Sequence, residues 1–228
     1  MHTDSANLTA PVLPGRRPIF QLNQKEPKKS PTKVPNLNYD RQQIIKTMAL
    51  SCDLIRFRSR GWICVEGSRT CLTDIEHGFY GIRKAVEQLI GPVTGTVYYN
   101  AAIEGGIAYV RGAVKSGDIT RSDMGFRDCV EAYTQLGFGG FTVSEIDYES
   151  ARATVMCKDA FEGWAWKRHG NVSKACYYSC GILAGFMRAL TEREDIGCVE
   201  TECIAEGADA CIFVIAPEGE LVRGGLMV

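Results

Sequence analysis

The chain has 228 residues, 45% hydrophobic and 23% charged, with a formal net charge of −1. That size and balance suit one large globular domain or two small ones, and a near-neutral chain carries no global field for nucleic acid or a membrane surface. No apolar run approaches the roughly 20 residues needed to span a bilayer. The opening MHTDSANLTAPVLPG lacks the charged-then-apolar pattern of a secretory signal, so a cytoplasmic protein is expected.

Six of the eight prolines fall in residues 1–36, together with six Lys or Arg against Asp4 and Glu26, a net of +4. Such a stretch buries little and reads as a flexible basic tail, with the folded part spanning 37–228. The tail is a solvated segment or a docking arm for a partner protein. Residues 39–50 read as a short helix, and 53–59 and 62–70, split at Gly61, as a hairpin. Thr73-Asp-Ile-Glu76 has the form of a capping box, followed by a helix to about Ile90 with Phe79, Ile82, Val86 and Leu89 along one face. Further helices are expected over about 95–115 and 121–136, the latter stopping at Gly137, Gly139 and Gly140. Strands follow at about 140–147 and 151–166. A helix capped by Ser173 runs to about Thr191, and a hairpin over about 199–215 closes the chain. The fold class is therefore α+β, an antiparallel sheet packed with helices.

One internal echo stands out. YYNAAIEGG (98–106) matches YYSCGILAG (177–185) position by position. On helices, Ala101, Ala102, Gly105 and Gly106 form one smooth face, and Cys180, Gly181, Ala184 and Gly185 another. Glycine inside a helix costs roughly 1 kcal/mol relative to alanine. Close packing of the two helices, on each other or on the sheet, would offset that cost. The other reading is that the small residues border a cavity.

Ten cysteines is a high count for a chain expected in a reducing compartment, where core thiols and a metal site are more common than disulfides. Cys203 and Cys211 flank a turn at Gly207, Cys176 and Cys180 share a helix face, and Cys198, Glu200 and Glu202 precede the turn. Three thiolates and a carboxylate suit a tetrahedral site for zinc. Spacing alone leaves the ligands open. On a regular strand Glu200 and Cys203 point to opposite faces, so pairing them needs a bulge or bend, and the alternative is a set of small buried hydrophobes.

Residues 172–216 resemble the 4-vinyl-reductase-like domain family, which includes sensor domains of aromatic-responsive transcription activators, archaeal hydrocarbon-binding proteins and bacteriochlorophyll-cluster proteins. The resemblance rests on Cys176 followed by Gly181 and Gly185, then Glu200-x-x-Cys203, Gly207 and Cys211. It extends more loosely back to about residue 53, through GWICVEGSRTCL. In the sensor members this pattern binds zinc. The resemblance thus implies Cys176, Glu200, Cys203 and Cys211 as ligands of a structural zinc that clips the last helix to the terminal hairpin, and it implies a homodimer. The sensors hold a phenol-like ligand with a histidine and a tryptophan. Here MCKDAFEGW (156–164) places Cys157 at the tryptophan position, and the histidine position falls near Leu136, which suits a more apolar or larger ligand. Trp164 and Trp166 lie nearby, either lining that pocket or alternating with Ala165 along a strand.

Catalytic machinery is sparse. His2, His77 and His169 are the only histidines, no dinucleotide loop or P-loop is present, and no motif flags a nucleophile, leaving Cys129, Cys157 and Ser144 open. The expected function is non-catalytic binding or sensing of a small apolar or aromatic molecule. Two alternatives are an accessory protein or enzyme of (bacterio)chlorophyll synthesis holding a tetrapyrrole, and a scaffold docking through its basic tail. No direct nucleic-acid binding is expected.

Overall fold

The structure, a computed structural model, describes residues 55–59, 62–65 and 68–226. The tail over 1–36 and the helix expected over 39–50 lie outside those residues. Three short strands come first: β1 (Ile55–Ser59), β2 (Trp62–Val65) and β3 (Ser68–Thr70) form an antiparallel sheet in that order. The run expected as one strand over 62–70 is thus two strands, β3 turning back on β2.

The next helix starts one residue later than its capping box suggested. Asp74, not Thr73, is the cap: its carboxylate accepts the backbone N–H groups of His77 (2.7 Å) and Gly78 (3.1 Å). The hydrogen bond from His77 leads the causes that hold the Asp74 carboxyl below its ordinary range. A single wide turn, Ile75–Phe79, leads into α1 (Tyr80–Ile90), which ends where Gly91 takes a φ of 63°. The apolar face expected to bury itself is turned outward: Ile82 is 59% and Leu89 83% exposed, while Arg83 is the buried residue of α1.

Helices α2 (Thr94–Ser116) and α3 (Asp123–Tyr133) follow, the latter capped by the Ser122 hydroxyl accepting from Gly125 N–H at 3.1 Å. Strands β4 (Phe141–Asp147) and β5 (Arg152–Cys157) form a hairpin. The strand expected over 151–166 stops at Cys157, and residues beyond it turn into α4 (Phe161–Arg168). Then come α5 (Tyr177–Thr191), β6 (Ile196–Glu202), β7 (Cys211–Pro217) and α6 (Glu218–Arg223). Ser173 does not cap α5, which opens at Cys176; its hydroxyl instead accepts from Trp166 Nε1 at 2.9 Å. The second sheet is antiparallel throughout, in the order β4-β5-β7-β6. The expectation of an α+β fold with an antiparallel sheet packed against helices holds. No helix among the described residues is long and apolar enough to cross a membrane.

Helix α5 is the centre of the core, with every residue from Ser179 to Met187 buried. Its sequence echo with α2 has a geometric meaning. Ala102 and Gly106 of α2 meet Gly181 and Gly185 of α5, so equivalent positions of the two repeats face each other along parallel helices. A Cβ on Gly181 would come within 2.2 Å of the Tyr99 carbonyl oxygen, on Gly185 within 2.4 Å of the Ile103 carbonyl oxygen, and on Gly106 within 2.6 Å of the Ile182 carbonyl oxygen. The backbones approach closely enough that only hydrogen fits, and the dispersion attraction between them offsets the helix cost of glycine. Ala101 and Gly105, also expected on that face, are exposed.

Candidate metal centre

Four side chains meet at the start of α5. Cys176 opens the helix, Glu200 stands in β6, Cys203 follows β6 ahead of the single turn Ile204–Glu206, and Cys211 begins β7. One potential ligand atom from each lies within 4.8 Å of all the others. Cys176 Sγ is 3.7 Å from Cys211 Sγ, which is 3.9 Å from Cys203 Sγ. All three thiols are free. These separations match a tetrahedron around a metal: with metal–sulfur bonds of about 2.3 Å its edge is about 3.8 Å.

The strand supplies the bulge that this pairing requires. Glu200 lies opposite Phe213 but Glu202 opposite Ile212, so Thr201 is an extra residue that turns the strand between Glu200 and Cys203. The Glu200 carboxylate is then used twice. Oε2 accepts the N–H groups of Ala175 (3.1 Å) and Cys176 (3.0 Å), whereas Oε1 is buried with no hydrogen-bond partner. A buried oxygen without a partner is costly, and a cation in the cluster would satisfy it.

Burial pushes the Cys176 thiol well above its ordinary range, and burial, with Cys203 nearby, raises Glu200 to about 7. Cys203 goes the other way, lowered by hydrogen bonds from the Cys176 and Cys211 thiols. Four anionic ligands together in so buried a site would repel one another, and a dication removes that penalty. Protein fills all four positions of a tetrahedral site, leaving none for water or substrate, so the arrangement suits a structural role rather than catalysis.

Helix α4 closes the cluster from one side. A Cβ on Gly163 would lie 3.3 Å from Cys211 Sγ, 3.4 Å from Cys176 Sγ and 2.9 Å from Ile204 Cγ1. Its neighbour Glu162, fully buried, accepts from Tyr178 N–H at Oε1 (3.1 Å) and from Ser179 N–H and Oγ at Oε2 (2.8 and 2.9 Å). Arg83 of α1, also buried, lies 3.6 Å from Glu162 Oε1 and donates to the Ala175 carbonyl at 2.5 Å. Sequence reasoning misses Glu162, Gly163 and Arg83. A glutamate and a glycine inside the apolar run AFEGWAW are the available signal, and reading that run as strand hides it.

The four residues expected around a ligand do not converge as the metal set does. Cys157 is buried in β5, opposite Phe141 on one side and Cys211 on the other. Leu136 is half-buried in the turn Thr134–Phe138 that extends α3. Trp164 and Trp166 sit on α4, not on a strand, and project from different sides of it. Trp164 is 40% exposed beside Arg168, and Trp166 is buried with the Arg83 guanidinium 4.0 Å over its ring. Aromatic rings gather elsewhere. Phe79, Tyr98, Phe138 and Tyr178, all half-buried, cluster with buried Phe161, with centroid separations such as 4.8 Å for Phe79–Phe161 and 5.2 Å for Phe138–Phe161. Two open cavities of about 500 and 260 Å³ are lined by other residues, mainly charged ones such as Arg111, Arg188 and Arg193 in the first and Arg127 and Glu131 in the second.

The nucleophiles left open by the sequence are not activated. Burial raises the thiols of Cys129 and Cys157 to about 12, and the Ser144 hydroxyl donates to the Thr154 carbonyl.

Residues 168–217, which carry Cys176, Glu200, Cys203 and Cys211, match the model of the 4-vinyl-reductase (V-4-R) domain. The resemblance read from the sequence is thus borne out over that segment. The chain is also similar, at a TM-score of 0.67 and 18% identity, to the crystal structure of the phenol-responsive sensory domain of the transcription activator PoxR with phenol. The match covers 81% of this chain and 98% of that one and shows a shared fold. A vinyl-4-reductase family protein from Methanocaldococcus jannaschii matches at 15% identity over 81% of this chain and 99% of its own, at a TM-score of 0.43. No curated protein matches the chain.

Proposed function

We propose that this chain is a non-catalytic domain that binds a small apolar or aromatic molecule, is stiffened by one structural zinc on Cys176, Glu200, Cys203 and Cys211, and acts as a homodimer. The observation that carries the ligand reading is the fold shared with a phenol-responsive sensory domain, together with the domain match over residues 168–217. The half-buried rings around Phe161 supply the kind of surface on which an aromatic ligand stacks. Zinc is favoured over other metals because the donor set is sulfur-rich, closed and close to tetrahedral. When bound, zinc supplies cross-linking of α5 to the β6–β7 hairpin. The protein holds the three sulfurs and the Glu200 oxygen around it and excludes water. Ligand contacts with the rings on α4, α5 and the turn before α1 would then bias the packing of those helices, which a partner protein reads.

Native mass spectrometry of the full chain, followed by thermal melting with phenol as the probe, tests the reading. It predicts a dimer carrying zinc and a small adduct, or an empty protein whose melting temperature rises with phenol. A tetrapyrrole adduct would contradict it in favour of pigment synthesis. An empty protein unmoved by phenol at about millimolar concentration, where binding free energy is only about −4 kcal/mol, would contradict the aromatic ligand.

A further inference from the structure

The first turn of α5 is held from outside itself. Its opening residue Cys176 makes no side-chain cap, so the N–H groups of that turn look for partners elsewhere. Glu200 takes those of Ala175 and Cys176, and Glu162, from α4, takes those of Tyr178 and Ser179. Arg83 fixes the Ala175 carbonyl and faces Glu162. Both carboxylates also lie where the helix dipole favours negative charge. Cys176 is therefore clamped between two anchored peptides, one on each side, before any metal is considered.

Resting on the zinc reading above, we infer that Glu162 is a positioning residue for the metal centre: by holding the Tyr178 and Ser179 peptides it fixes the Cys176 sulfur relative to Cys203 and Cys211. Groups that orient ligands in this way change metal affinity by about 10–100-fold when removed. The next residue, Gly163, has its Cα against two of the three sulfurs, so one short segment of α4 both aims Cys176 and makes room for the cluster. The rings of Phe161 and Tyr178, which flank the Glu162 hydrogen bonds, belong to the aromatic cluster. Whatever displaces those rings acts on the Glu162 clamp, and through it on the metal.

The test is zinc affinity by competition with a chromophoric chelator at about pH 8, with the absorption spectrum of the Co²⁺-loaded protein as a second readout of ligand geometry. Glu162→Gln keeps the shape but places an amide where a carboxylate accepted. It should weaken zinc about tenfold or more and change the thiolate–Co²⁺ bands. Val110→Ala, in the core of α2, should lower the melting temperature without moving either readout. A folded Glu162→Gln variant with wild-type zinc affinity and spectrum would overturn the inference. Should that variant not fold, Ser179→Ala, which removes a single hydrogen bond to Glu162, must weaken zinc more than Val110→Ala does. Equal effects would overturn the inference. Wild-type protein that takes up no zinc would instead overturn the metal reading itself, and the inference with it.

Discussion

The start and the middle of α5 are fastened in opposite ways. The middle is held by the absence of side chains: Gly181 and Gly185 let the α2 backbone approach until carbonyl oxygens would lie 2.2 and 2.4 Å from an added Cβ. The start is held by ionisable groups, two buried carboxylates, an arginine and three thiols gathered around Cys176. The middle should respond only to shape. The start should respond to metal and to protons. One helix thus joins a packing element to a chemical one.

The largest effect expected from breaking the comparison is at the start. Cys211→Ala should abolish stoichiometric zinc binding and lower the melting temperature by roughly 10 °C or more, because a closed site contributes folding free energy directly. Chelation should reproduce most of that loss in the wild-type protein and add little in the variant. Calorimetric scans with and without chelator check both outcomes.

At the middle, Gly185→Ala should cost about 3 kcal/mol, or roughly 6–12 °C in melting temperature for a chain of this size, since the new methyl meets backbone that cannot swing away. Here the chelator should act as it does on the wild type. A chelator effect that vanished in Gly185→Ala would join the two regions and break the contrast.

A smaller effect separates them by pH. Burial raises the Glu162 carboxyl from its ordinary 4.5 to about 7 in the folded protein. The folded state therefore holds a proton that the unfolded state has released between those values. The stability this contributes is complete below about pH 4.5 and is lost as pH rises to about 7. The stability difference between wild type and Glu162→Gln, measured by urea unfolding with saturating zinc, should fall across that window at up to about 1.4 kcal/mol per pH unit. It should be flat above it. The same comparison between wild type and Gly185→Ala should show no slope.

The smallest effect concerns the outward face of α1. Leu89→Ser should shift stability by no more than about 0.5 kcal/mol, because Leu89 is 83% exposed.

The two regions also differ in how far they could be read from sequence. The repeat YYNAAIEGG/YYSCGILAG announced the middle of α5, because a run of small residues in a helix needs close packing to offset its cost. Glu200-x-x-Cys203-x₇-Cys211 announced the thiol cluster, and the need for a bulge, found at Thr201, followed from strand alternation. The frame around Cys176 was not legible. Glu162 and Arg83 lie far apart in sequence and meet only after α1 and α4 pack against α5, and no local periodicity encodes that meeting. On α1, periodicity pointed the wrong way, since it finds the apolar face of a helix without saying whether that face turns inward. Beyond Cys157, the aromatic residues Phe161, Trp164 and Trp166 favour strand by propensity, and tertiary packing on the metal side overrides them.

The central claim is that the start of α5 is a metal clip. Metal analysis of the purified full-length chain, expressed with zinc available, tests it most directly. The account predicts about one zinc per chain, lost in Cys211→Ala and retained in Gly185→Ala. Wild-type protein that is folded and free of zinc would contradict it.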